Sequence, residues 1–171
     1  MTQIVELTSG AAQALLALLA GASADATSAN ELYVQQVTDG HRIVAVAPDP
    51  AGSEPPATAP RKGVAYAITA DRRISAPTSD VVPDRQSTHL TAAMTRALRT
   101  AVAKLAADAH SPLSHYDVQL VTREGVIEVV FVPLLAPGER YIRGGATSLG
   151  REVHYDVDVA TNTVVRTSFA R

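Results

Sequence analysis

The chain contains no cysteine and no tryptophan, and only 4% of its residues are aromatic. Without cysteine there is no disulfide framework, no thiolate nucleophile and no cysteine-ligated metal. Few rings also leave few platforms on which nucleic-acid bases can stack. No sign of charge dominates: 15 Lys and Arg stand against 17 Asp and Glu, a net charge of −2. A nucleic-acid partner calls for a basic footprint that releases counterions, so none is expected here. The apolar run Leu15–Ala20 is too short to span a bilayer, so no membrane partner is expected either. That run, followed by Ala22-Ser23-Ala24, has the outline of a secretory signal, but no Lys or Arg precedes it and the charge there is Glu6. It reads as a structural helix, and the expected location is cytoplasmic.

Hydrophobic residues make up 46% of the 171, enough for a packed core. Much of that is Ala and Val, so close packing of small side chains has to supply the stability. The most informative pattern is a repeat. Leu7-Thr8 and Ala14-Leu15 recur as Leu90-Thr91 and Ala97-Leu98. Val34-Gln35-Gln36-Val37-Thr38 recurs as Val118-Gln119-Leu120-Val121-Thr122, and Val64–Ile68 recurs as Val153–Val157. The order is kept and the separation widens along the chain, as a tandem duplication with loop insertions would produce. The expected domains are residues 1–78 and 79–171.

Gln3–Leu7 reads as a short strand, after which Thr8 or Ser9 caps a helix from Gly10 to Ala20 that ends at Gly21. Leu32–Val37 and Arg42–Ala47 form a hairpin across Thr38-Asp39-Gly40-His41, with Asp-Gly as the turn signal. Pro48, Pro50, Pro55, Pro56 and Pro60 make 48–62 an extended loop. Val64–Ala70 is a strand, turned at Asp71-Arg72-Arg73 towards Ile74. In the second copy Asp80–Val82 is the short leading strand, and Thr88 or Thr91 starts a helix to about Ala109. Its apolar residues Leu90, Met94, Ala97, Leu98, Ala101, Val102 and Leu105 fall at helical spacing. Tyr116–Thr122 and Val126–Leu135 form a hairpin, Ala136–Gly150 a long loop, and Glu152–Val159 with Thr163–Phe169 the last hairpin. The predicted fold class is α+β: an internal duplication of a helix followed by a four-stranded antiparallel sheet, with a pseudo-two-fold relation between the copies.

A helix followed by a hairpin, a long connection and a second hairpin resembles the cystatin-like fold. Cystatins carry Gln-x-Val-x-Gly in the hairpin after the helix. Gln35-Gln36-Val37-Thr38-Asp39-Gly40 is similar with its glycine one residue late, and Gln119–Gly125 with its glycine two residues late. The Pro-Trp of the family's second hairpin has no counterpart; Asp71-Arg72-Arg73 and Ala160-Thr161-Asn162 stand there. Val153–Val165 also looks like the closing strands of PepSY-type domains. The resemblance implies a tandem cystatin-like fold and a hairpin edge that enters a partner protein.

His154, Asp156 and Asp158 alternate on one face of a strand, opposite Val153, Tyr155, Val157 and Val159. An imidazole between carboxylates suits a divalent ion or a tuned base, yet one strand offers too few ligands, and the plainer reading is a solvated polar face. The matched positions in the first copy are Ala65, Ala67 and Thr69; so small an apolar set predicts that this face packs closely on something. His110 and His115 read as helix-end residues favoured by the dipole, and His41 and His89 have no recognisable companions. No Gly-x-Ser-x-Gly elbow or phosphate-binding glycine loop occurs. The expected catalytic, metal and cofactor sets are therefore empty. The loop Arg140, Tyr141, Arg143 with Gly144-Gly145 carries the side chains best suited to anchor a partner, together with hairpin tips Asp39, Gly40 and Arg123, Glu124.

The first functional expectation is a non-enzymatic module that binds another protein, as an inhibitor or immunity-type neutraliser, with a homodimer as a further possible assembly. The second is an enzyme or small-ligand receptor using the hollow between helix and curved sheet, with His154, Asp156 and the Arg loop as its polar groups. The third is a structural or assembly component.

Overall fold

The computed structural model describes residues 2–21, 30–47, 62–71, 73–76, 78–81, 87–108, 111–140 and 145–170. Two α-helices and antiparallel strands make up the described residues, an α+β arrangement. The Pro-rich segment at 48–61, His110, and the loop residues Tyr141 and Arg143 lie outside them.

The chain divides into two units. One is Met1–Gln13 with Arg96–Arg171, the other Ala14–Thr95, so the division falls inside both helices. The first unit holds β1 (Gln3–Leu7), β7 (Tyr116–Arg123), β8 (Val126–Pro133), β11 (Val153–Asp158) and β12 (Val164–Phe169), hydrogen-bonded in the order β1-β7-β8-β11-β12. A small hairpin of β9 (Ala146–Thr147) and β10 (Gly150–Arg151) lies in the β8–β11 connection. The second unit holds β2 (Glu31–Val37), β3 (Gly40–Val46), β4 (Lys62–Thr69), β5 (Thr78–Val81) and β6 (Thr88–Leu90), in the order β6-β2-β3-β4-β5. Both sheets follow one pattern: four strands that come after a helix, flanked by one strand that precedes the other helix.

Two sequence expectations are corrected. The strand leading into the second helix is β6, not Asp80–Val82. Residues 78–81 instead form β5, which pairs with β4 through Lys62–Val81 to Ala65–Thr78. Of the two starts expected for the second helix, Thr88 and Thr91, the later holds, because Thr88–Leu90 pair with Leu32–Val34 of β2; Leu90, expected on the helical stripe, belongs to β6. Near Ile74 there is only an isolated bridge to Ile68, closed by the tight turn in which Thr69 N–H bonds Arg73 O.

Helix α1 (Ser9–Gly21) starts where the Thr8 hydroxyl oxygen accepts the Ala11 N–H, a side-chain N-cap. Ala12, Leu15, Leu18 and Leu19 fall on one stripe and are buried. Helix α2 (Ala92–Ala107) starts likewise, with Thr91 Oγ1 accepting the Met94 N–H. Met94, Ala97, Leu98, Ala101 and Leu105 form its buried stripe, and Lys104 sits in the last turn, where a cation is favoured.

In the β8 sheet the two-residue alternation of β-structure orders the core, with Val130 of β8 the exception, buried on the opposite face. Val118–Phe131–Val153 and Leu120–Val129–Tyr155 run as rows across three strands, all buried. Tyr116, Phe131 and Tyr155 meet edge to face at 6.0 Å. In the β3 sheet, Leu32, Val34, Ile43 and Ala45 form one buried face. The other face carries a second cluster, Val44, Val46 and Ala65 with Tyr33 against it. The expectation for the Ala65 face holds for Ala65, which is buried; Ala67 is exposed.

Candidate functional site

The polar side chains that the sequence singled out gather on the face of the β8 sheet opposite its buried rows. Strand register builds this face. His154 lies opposite Val130 on β8 and Ser168 on β12, and Val130 lies opposite Gln119 on β7, whose amide bonds Glu6 of β1. In the next row Asp156 stands between Glu128 and Arg166.

Four side chains on this face form a continuous chain of charge. His154 Nδ1 is 2.9 Å from Glu128 Oε1, and its Nε2 is 2.9 Å from Glu152 Oε1. The second oxygen of Glu128 accepts from Arg123. The imidazole and both carboxylates are mostly shielded, at 24%, 12% and 17% exposure. Burial alone would lower the proton affinity of His154. The hydrogen bonds and charges of Glu128 and Glu152 outweigh it and hold the ring above the usual histidine range.

Arg123 and His154 are thus brought together, with Asp156 beside them. Asp158 points its chemistry elsewhere. Its carboxylate accepts the Thr161 N–H at 2.7 Å and the Thr161 hydroxyl at 2.8 Å, which holds it below the usual carboxylate range. It caps the β11–β12 turn. Glu124 is exposed in the β7–β8 turn, where Gly125 O accepts the Val159 N–H.

Arg140 is exposed at the far end of the sheet. Because β7 and β8 are antiparallel over eight residues each, the Arg123–Glu124 turn and the β8–β11 connection leave opposite ends of the sheet, ~25 Å apart. They do not form one contact patch. Asp39 and Gly40 belong to the other unit. There the Asp39 carbonyl accepts the Ala70 N–H, and Gly40 pairs with Thr69.

The expectation that His154 and Asp156 line a hollow between helix and sheet is corrected by the same register. The helix side of β11 is the Val153–Tyr155–Val157 side. Tyr155 donates to Asp108, just past α2, and the Thr100 hydroxyl of α2 bonds Asn162 O in the β11–β12 turn. His154 and Asp156 face the other way.

Two participants escaped the sequence reading. Glu152 continues the alternation one step before His154 and was legible on that ground. Glu128 lies on another strand and becomes visible only through register. Glu139 was also missed: its carboxylate accepts Ala136 N–H, Ser148 N–H and the Ser148 hydroxyl, stapling the β8–β11 connection. Those backbone bonds hold it below the usual carboxylate range.

Among the described residues no group of three His, Cys, Asp or Glu is arranged to hold a metal ion, and no helix is long and apolar enough to cross a membrane. Comparison with protein-family models, curated proteins and solved structures returned no match.

Proposed function

We propose that the chain is a non-enzymatic module that binds another protein, in the manner of an inhibitor or immunity-type neutraliser, through the polar face of the β8 sheet. The Arg123–Glu128–His154–Glu152 chain carries this reading. Charges already satisfied against one another keep their partners when a second protein covers them, so little desolvation is left uncompensated. They also hold the face rigid, which lowers the ordering cost of association. A catalytic histidine needs one ring nitrogen available to a substrate proton; both nitrogens of His154 point at carboxylates.

The matching strand orders of the two sheets support a further part of the proposal. A cystatin-like unit of one helix and four strands was copied in tandem, and the copies traded their leading strands. Arg140, Tyr141 and Arg143 remain proposed anchors at one end of the face, the Arg123–Glu124 turn at the other.

The test is affinity capture from the native host with three baits: wild type, Asp156→Lys/Arg166→Glu, and Arg140→Ala/Tyr141→Ala/Arg143→Ala. The expected result is one protein retained by wild type and lost with the first variant, at an unchanged melting temperature. Retention by the face variant and loss with the loop variant would move the site to the loop. A partner that is turned over rather than retained would replace binding with catalysis.

A further inference from the structure

We propose that His154 is a proton-operated clasp: as the imidazolium it ties Glu128 of β8 to Glu152, just ahead of β11, and it gives up its hold on Glu152 when it loses its proton. The geometry requires the charged form. Each ring nitrogen lies 2.9 Å from a carboxylate oxygen, Glu128 on one side and Glu152 on the other. A carboxylate only accepts, so both nitrogens must carry hydrogen, which the neutral ring cannot arrange. Neutral imidazole would turn a lone pair towards one of the two carboxylates.

The two arms of the clasp differ. Glu128 lies inside β8, paired with Val121 on one side and Asp156 on the other, and Arg123 grips its second oxygen. Glu152 lies between β10 and β11, outside the ladder. The ring therefore stays with Glu128, and it is the His154–Glu152 contact that is given up, Glu152 keeping its remaining interactions. Loss of that contact is read at Gly145. The Glu152 N–H donates to Gly145 O at 2.6 Å, and a Cβ at Gly145 would lie 2.7 Å from Glu152 Cβ. The clasp thus reaches the C-terminal end of the β8–β11 connection.

The other groups around the ring favour a cation. Asp156 flanks it on β11, Gln119 with Glu6 lies in its row from β7 and β1, and Ser168 stands opposite on β12. Among the described residues Arg123 and Arg166 are the guanidinium groups of this face; Arg123 is paired with Glu128, and Arg166 lies opposite Asp156 in the register. The clasp is closed in mild acid, while the carboxylates are ionised, and it opens as pH rises through a value above the ordinary histidine 6.5.

The clasp belongs to the isolated protein, so its test needs no partner and stands apart from the binding proposal. Full-length protein is followed by two-dimensional NMR from about pH 5 to about pH 10, a range that brackets histidine titration. The His154 ring, the Gly145 and Glu152 amides and, as a distant reference, the Gly138 amide are monitored. The expected result is a His154 midpoint above 6.5, with the Gly145 and Glu152 amides following the same curve and Gly138 flat. Glu152→Gln should move the midpoint down. A midpoint at or below 6.5, or Gly145 and Glu152 amides that do not follow the ring, would overturn the proposal.

Discussion

The carboxylate of Asp117 on β7 accepts the backbone N–H of Ser9 at 2.7 Å, so the first turn of α1 is capped by a residue 108 positions later in the chain. The bond satisfies one of the orphan donors at the helix start and sets a negative charge at the positive end of its dipole. Asp117→Ala should cost about 0.5–2 kcal/mol in urea unfolding. Asp117→Asn keeps the acceptor and should cost less. Equal losses would assign the effect to charge alone.

Tyr155 ties the end of α2 to β11 through its bond to Asp108, which Lys104 also holds. Burial, with the Asp108 bond adding to it, pushes the phenol well above its usual range, so it stays protonated while exposed tyrosines ionise. Tyr155→Phe should lose about 1.5–3 kcal/mol, the range for a hydrogen bond to a charged group. An unchanged melting curve would mean that Asp108 is held well enough without the phenol.

Leu98 is fully buried at the centre of the α2 stripe. Leu98→Ala should cost about 2–5 kcal/mol, transfer and cavity terms together. Chemical denaturation reads this directly, and a loss below ~0.5 kcal/mol would be that of a surface residue.

Two hairpin glycines separate conformation from space. Gly125 has φ 71° with open space around its Cα, so Gly125→Ala meets only the left-handed penalty of about 1–2 kcal/mol. Gly40 has φ 147°, and a Cβ there would lie 2.1 Å from Ile68 O. Gly40→Ala should therefore cost more than Gly125→Ala, and amide exchange should quicken along β3 and β4. The reverse ranking would place the constraint in the turn rather than in strand approach.

The pH dependence of the His154 cluster has a definite sign. The folded protein raises the proton affinity of the ring, so its contribution is fully present below the ordinary value near 6.5 and fades as pH climbs through the raised one. The stability difference between wild type and His154→Gln should be largest in mild acid and shrink on the alkaline side. A difference that grows with pH would contradict the double carboxylate contact.

Local signals in the sequence carried most of the strands. The alternation in Val153–Val157 and Val118–Val121, the Asp39-Gly40 turn and the Thr8 and Thr91 caps are nearest-neighbour chemistry. What the sequence did not carry is pairing. Thr88-His89-Leu90 is too short for a period to show, and its place beside β2 depends on residues far away in sequence. Residues 78–81 have strand chemistry but nothing local says that β4 is their neighbour. The site divides the same way. His154 and Asp156 share a face by alternation alone, whereas Glu128 joins them through the β8–β11 register. Asp158 shares their spacing but is drawn off by Thr161 in the turn.

The pairing of β1 with β7 sets an order of events during synthesis. β1 leaves the ribosome well before its partner, to which it pairs from Gln3–Thr122 to Leu7–Val118. At roughly 5–20 residues per second, β1 waits on the order of 10 s for β7 to emerge. Over that interval the apolar residues Ile4, Val5 and Leu7 lack the strand they pair with in the folded protein. β2 to β5 can pair among themselves in the meantime, but their fifth strand, β6, comes only after them. The nascent chain therefore carries two unsatisfied edges at once, β1 awaiting β7 and β2 awaiting β6, and shielding β1 until β7 is made is where a folding factor would act.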